Sequence, residues 1–264
     1  MKLASALPIA ALLMATAGHA AEVKAVLAAV RHRIETSDYR ATGQLVRVDA
    51  SGNRTIYTVR VKGLWFSGAL HTLVDITPPR GPAARAGQYR DVRILLETRP
   101  DGRNSIRIFR PHASAPTWLP FDKWSEGLVG GGFSYEDLLE SEYFWPGQTI
   151  LRQARMGARQ CYVLKSTPGP SDRTHYSEVQ TWLDQAIDYP VYAEKTMKSG
   201  AIVKEITYYG LRQSSGVWSA TQVETKIRGR AGATLLIVRR GSAKANLSAE
   251  DFSSQQISRF EDRP

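Results

Sequence analysis

ATGQLVRVD (residues 41–49), the turn ASGN (50–53) and RTIYTVRVK (54–62) decide the fold class. In the second run Tyr57, Val59 and Val61 share one face, while Ile56, Thr58, Arg60 and Lys62 share the other. Side chains on a strand alternate between faces, so this period of two describes a half-buried β-hairpin about a glycine turn. Leu70, Thr72, Val74 and Ile76 alternate in the same way and stop at Pro78-Pro79. A polar loop (78–90) follows, then strands near 91–99 and 104–109 around Pro100-Asp101-Gly102. Further strands are predicted at 149–155, 159–166, 174–184, 189–198, 201–210, 217–227 and 232–240, with Lys198-Ser199-Gly200 and Ser214-Ser215-Gly216 as turns. Roughly a dozen strands in succession, with no βαβ alternation, predict a mainly β (α+β) chain built on a strongly curved antiparallel sheet.

Helices are few. Val23, Val26, Leu27, Val30 and Ile34 recur at helical spacing, with Lys24, Arg31 and Arg33 turned away, which predicts one amphipathic helix over 22–36. Ser134-Tyr135-Glu136-Asp137 and Ser248-Ala249-Glu250-Asp251 have the pattern of capped helix starts. Between the sheet halves lies an irregular segment, 110–148, rich in proline and aromatic residues and carrying Gly130-Gly131-Gly132. A long aromatic connection of this kind reads as a lid or rim, with the glycines as its hinge.

At the start, Met1-Lys2 is followed by an apolar run from Leu3 to Ala17 and by Gly18-His19-Ala20, a small-x-small site. That is the layout of a secretory signal peptide cleaved after Ala20, implying export to the periplasm and a single mature domain over 21–264. No later stretch reaches the ~18 apolar residues of a membrane span. Hydrophobic residues make up 42% of the chain, enough for a core, and Cys161 has no second cysteine to pair with. Its strand-like setting reads as a buried structural thiol. The net charge of +10 is spread along the chain without a basic stripe, which argues against nucleic acid. Anionic lipid headgroups or acidic partners fit such a surface, as does simple solvation of strand faces.

Signs of covalent chemistry are absent. The five histidines (19, 32, 71, 112 and 175) lack metal-ligand spacing, no Gly-x-Ser-x-Gly elbow occurs, and the glycine triplet lacks the Lys-Ser/Thr ending of a phosphate loop. The acidic group Glu136, Asp137, Glu140 and Glu142 reads as helix capping and solvated surface rather than an acid–base pair. No enzyme, metal or cofactor is therefore expected. What remains is an excess of aromatic and aliphatic residues on a sheet with too few helices to cover both faces, so part of a concave face is left as an apolar pocket or is filled by those aromatics.

Phe133-Ser134-Tyr135-Glu136-Asp137-Leu138 resembles the Phe/Leu-Ser/Thr-Tyr-Glu-Asp-Leu motif of the outer-membrane lipoprotein-sorting (LolA-like) family. Trp118-Leu119-Pro120, Arg159-Gln160-Cys161-Tyr162-Val163-Leu164, Trp182-Leu183-Asp184 and Tyr189-Pro190-Val191 follow in that family's order. So do Lys198-Ser199-Gly200 through Tyr209, Gly216-Val217-Trp218, Thr234-Leu235 and Asp251-Phe252. Gly130-Gly131-Gly132 stands where relatives often have Gly-Ser-Asp. The resemblance implies a half-open barrel of about eleven strands around a hydrophobic cavity closed by helices. It also implies carriage of lipoprotein acyl chains or phospholipid, with an inner-membrane exporter or an outer-membrane acceptor as partner. An envelope-sensing module on the same scaffold is the alternative. The candidate cavity residues are Trp65, Phe66, Leu70, Trp118, Phe133, Tyr135, Leu138, Phe144, Trp145, Trp182 and Trp218, with Gly130, Gly131 and Gly132 as the lid hinge.

Overall fold

The computed structural model describes residues 9–79, 91–113 and 115–259. Most of the 78–90 loop and the first eight residues of the expected leader lie outside the described residues. The first half of the chain forms β1 (Asp38–Val48), β2 (Arg54–Phe66), β3 (Ala69–Thr77), β4 (Val92–Thr98), β5 (Ser105–Phe109) and the two-residue β6 (Thr117–Trp118). After the irregular segment come β7 (Gly147–Met156), β8 (Arg159–Thr167), β9 (Tyr176–Asp184), β10 (Tyr189–Met197) and β11 (Val203–Tyr209). A hairpin of β12 (Arg212–Ser214) and β13 (Val217–Ser219) precedes β14 (Gln222–Ile227) and β15 (Ala233–Ala243). Helix α1 (Ile9–Glu35) stands at the front and α2 (Ser254–Ser258) at the end.

Among the described residues thirteen strands make one antiparallel sheet in the order β6-β5-β4-β3-β2-β1-β15-β14-β11-β10-β9-β8-β7. Its ends, β6 and β7, do not pair with each other, so the sheet bends without closing into a barrel. The two halves join where β1 meets β15, from Tyr39 opposite Ala243 to Val48 opposite Ala233. Gly43 sits at the register shift of that seam, and a Cβ there would run into the Ile237 carbonyl of β15.

The alternation read from the sequence sets the concave face. Tyr39, Ala41, Gly43 and Leu45 of β1 stand opposite Gly63, Val61, Val59 and Tyr57 of β2. The row continues into Thr72, Val74 and Ile76 of β3 and Leu96 and Ile94 of β4. The convex face of β3 is covered as well, because Phe252, Ile257 and Leu247 pack on Leu73, Leu95 and Phe109. Arg93 fixes this C-terminal cover by donating to the carbonyls of Ile257 (2.5 Å) and Arg259 (2.8 Å) and pairing with Asp75 at 3.3 Å. Ser248 and Asp251 make the anticipated cap, with the Ser248 amide donating to Asp251 Oδ2 at 3.0 Å.

Three expectations need correction. The helix over 22–36 is the latter part of α1, whose described backbone begins at Ile9. The single strand predicted at 217–227 is two, because the chain leaves the sheet after Tyr209 and returns at Gln222. Ser215 and Gly216, both at positive φ, turn β12 into β13, and the Thr221 amide donates to the carbonyls of Tyr209 and Gly210, closing the excursion. The resemblance implied about eleven strands in the sheet, where thirteen are found. Cys161 is fully buried, as anticipated, and burial pushes its thiol pKa up.

Gly43→Val should cost about 1–3 kcal/mol by forcing β1 away from β15. Gly241→Ala, whose Cβ would meet nothing nearer than 3.5 Å, should be tolerated. Urea denaturation of both variants measures the difference, and equal midpoints would contradict the close approach.

Candidate functional site

A cavity of about 990 Å³ lies against the concave face. It exists because the central seam is built of small residues. Where β2 and β3 present Val59, Val61, Val74 and Ile76, β1 presents Ala41 and Gly43, and β15 presents Gly241 and Ala243. The far wall is Ile206 of β11, Val223 of β14 and Leu236 of β15. Leu128, Phe133 and Leu138 close it from the middle segment, and Val217 and Trp218 of the β12–β13 hairpin stand at its rim.

One end is polar. Arg33 of α1 reaches the cavity, with its Nη2 3.5 Å from Glu140 Oε2 and its guanidinium 5.3 Å from the centre of the Tyr189 ring. Protein surrounds this side chain, so the 23% of it that stays accessible faces the void. Burial works against its charge, but Glu140 and the neighbouring tyrosines outweigh that and raise its pKa. Tyr39 lies over Gly63, which has no Cβ to displace its ring, and burial pushes the Tyr39 phenol up to about 12. Burial likewise raises Tyr189 and Tyr208, so these phenols stay neutral.

Beneath the cavity lies a buried ion cluster that the sequence did not disclose. Asp137 accepts from the Ser134 amide (2.7 Å), Tyr176 Oη (2.6 Å) and Lys204 Nζ (2.9 Å), with Lys195 at 3.8 Å. Burial alone would push its carboxyl upward. Lys204, Lys195 and these hydrogen bonds outweigh it and hold the group well below the usual carboxylate range. Lys195 also pairs with Glu142 at 2.8 Å. Glu136 accepts from Thr174 Oγ1 and the His175 amide and lies 2.9 Å from His175 Nδ1, while Phe121 stacks on that imidazole at 4.2 Å. The solvated-surface reading of the acidic group is thus overturned for Glu136, Asp137 and Glu142, all buried; Glu140 borders the cavity. Ser134 and Asp137 do exchange the expected capping bonds, but they lead only into the three-residue 3-10 turn Glu136–Leu138. What the cluster does mechanically is tie the middle segment to β9, β10 and β11.

Of the residues singled out from sequence, the structure places Leu70, Phe133, Leu138 and Trp218 at the cavity wall. Tyr135 packs behind it on the main core, and Trp65 and Phe144 pack in the α1 cluster with Leu70 and Tyr143. Phe66 stacks on His71 at 3.8 Å on the convex face. Trp145 is buried with Tyr176 and Val179, and Trp182 meets Tyr192 edge-on. Trp118 is 61% exposed on the edge strand, with the Arg107 guanidinium 5.2 Å from its ring centre. The glycine triplet lies on the sheet: a Cβ at Gly131 would stand 2.9 Å from Thr234 Oγ1, and one at Gly132 the same distance from Thr225 Cγ2. Close approach alone therefore calls for glycine at both positions. Sequence reasoning missed Arg33, read as turned away from the core, and Lys195, Lys204 and Tyr176. The signal for the lysines was their phase, since Lys195 shares a face with Ala193 and Lys204 with Ile206.

Among the described residues no helix is long and apolar enough to cross a membrane, and no group of side chains is suited to hold a metal ion. The model of a family described as an uncharacterized protein matches residues 84–259. The chain belongs to that family. No curated protein matches the sequence at a significant level. Solved structures show a shared fold. A Vibrio parahaemolyticus domain assigned to outer-membrane lipoprotein sorting superposes with a TM-score of 0.76 at 20% identity, covering 90% of this chain and 100% of its own. A DUF1329 family protein from Desulfovibrio piger gives 0.73 at 17% identity, covering 88% and 98%. A LolA superfamily protein from Nitrosomonas europaea gives 0.65 at 17% identity, again covering 88% and 98%. The family's fold is thus the LolA-like one that the motifs implied.

Asp137→Asn should destabilise the protein by about 3–5 kcal/mol, because Lys204 and Lys195 lose their shared counter-ion. Adding Lys204→Met should restore part of that loss. The Asp137 pKa is lowered on folding, so its contribution is complete above pH ~4, the unfolded value, and fades as pH falls further toward the folded value. Urea denaturation between pH 3 and 7 should show this acid dependence in the parent and less of it in Asp137→Asn.

Proposed function

We propose that this chain is a periplasmic, non-enzymatic carrier that shelters acyl chains of lipoproteins or envelope lipids in its concave cavity. The observation that supports this reading is the void itself: about 990 Å³, lined along the seam by Ala41, Gly43, Val61 and Val74 where a tightly filled core would place bulkier side chains. A space of this size is at the upper end of small-ligand sites. It suits one or two hydrocarbon tails rather than a folded domain. Each methylene moved from water into it contributes ~0.8 kcal/mol, so a long tail supplies the driving force without any catalytic group. The leader pattern read up to Ala20 supports a carrier working between two membranes, where an inner-membrane exporter or an outer-membrane acceptor would be its partner. The middle segment and α1 flank the cavity, so the tail enters between them and the β12–β13 hairpin.

Organic extraction of the purified protein followed by mass spectrometry should recover acyl lipids or an acylated protein. After delipidation, a fluorescent fatty-acid probe should bind, and Ala41→Phe or Val223→Trp should weaken it at least tenfold at unchanged thermal stability. A delipidated protein with no affinity for the probe, or filled-cavity variants that bind it as well as the parent, would falsify the carrier reading.

A further inference from the structure

The cavity has a chemical direction that its apolar middle does not explain. At the α1 end, Arg33 Nε is shielded from water and makes no hydrogen bond. Its carboxylate neighbour, Glu140, reaches only Nη2, at a stretched 3.5 Å. The Tyr189 ring covers the guanidinium at 5.3 Å. A guanidinium binds carboxylate or phosphate through its planar donor edge. Nε is covered by protein, so what Arg33 offers the empty space is its Nη side, where the stretched contact of Nη2 with Glu140 is the bond already made.

The surroundings do not cancel that charge. Tyr39, Tyr189 and Tyr208 are kept in their neutral form by burial. Asp188 also lines the cavity, its carboxyl pushed upward by burial and then by Asp184, while the ion pair that Arg33 makes is with Glu140. Arg212 and Lys244 also line the cavity and add positive potential to it. Asp38, the remaining carboxylate there, is committed to the backbone amides of Asn246 (2.9 Å) and Leu247 (3.1 Å). From Tyr39 the inner face of β1 runs through Ala41 and Gly43 to Leu45, a path of about 20 Å at strand spacing.

We infer that the ligand is an acidic amphiphile whose oxyanion head, carboxylate or phosphate, is held by Arg33 while its tail lies along β1–β3 toward Phe133. This rests on the acyl-carrier reading and adds the class of head group. Glu140 is the counter-ion that the head replaces. It lies on the middle segment, so an occupied Arg33 loosens this one link to α1, while Arg31 Nε still holds the Tyr143 carbonyl at 2.8 Å. A neutral ester carbonyl can accept a hydrogen bond from Arg33 but brings neither the charge that replaces Glu140 nor the second oxygen of a bidentate pair.

The test compares oleic acid with oleyl alcohol, and lysophosphatidic acid with monoolein, by fluorescence displacement on the delipidated full chain. Within at least one pair, the acid should bind at least tenfold tighter than its neutral partner, and the pair that does so identifies carboxylate or phosphate. Arg33→Met should bring acid affinity down to that of the neutral lipid without changing the latter. Arg33→Lys should keep part of the preference, and Glu140→Gln should strengthen acid binding by removing the competitor. Equal binding of acid and neutral lipids by the parent, or equal weakening of both by Arg33→Met, overturns the head-group assignment while leaving the carrier intact. No binding of any of the four ends both.

Discussion

The contact of Asp137 with Lys204 and Lys195 is the constraint on which the rest of the structure depends. A curved sheet with an apolar concave face collapses onto whatever covers it unless the cover is held at a fixed height. Charges do this better than grease, because a buried ion pair tolerates little change in distance before its desolvation goes uncompensated. Asp137 meets both lysines and Tyr176 from below, Glu136 engages Thr174 and His175, and Glu142 reaches Lys195. Three carboxylates on one short stretch thus fasten the middle segment to three successive strands. Leu128, Phe133 and Leu138 then border the void without filling it.

This arrangement gives the Phe-Ser-Tyr-Glu-Asp-Leu motif a physical meaning. Phe133 and Leu138 face the cavity, Ser134 and Asp137 exchange hydrogen bonds, and the two acids point into the sheet. Tyr135 packs behind them on the core. The motif is a tether whose apolar members line the space that its charged members keep open.

Most of the sheet was legible because its signal is local. The alternation of Tyr57, Val59 and Val61 against Ile56, Thr58 and Arg60 fixes which face is concave, and the structure follows it residue for residue. The cavity wall was harder to read. Large aromatics suggested it, yet Trp145 and Trp182 pack in other clusters and Trp118 stands at an edge. The space itself comes from small residues at the β1–β15 seam, and that pairing joins positions some two hundred apart in sequence. No local pattern reports what two such strands leave empty. Arg33 was misread for a related reason: a helical period separates apolar from charged positions, but it does not say whether the charged face meets water or a cavity.

The two ends of the sheet were described as unpaired. β6 is a two-residue strand set between Pro116 and Pro120, and β7 carries Arg152 and Arg155 on a largely exposed surface. Such short or charged borders resist joining another sheet. They also mean that the shell has a slit where a barrel would have a continuous ladder. Curling or uncurling such a shell moves its rims without breaking a backbone hydrogen bond between strands. The width of the void is therefore set by curvature, and changing it calls for elastic bending rather than local unfolding.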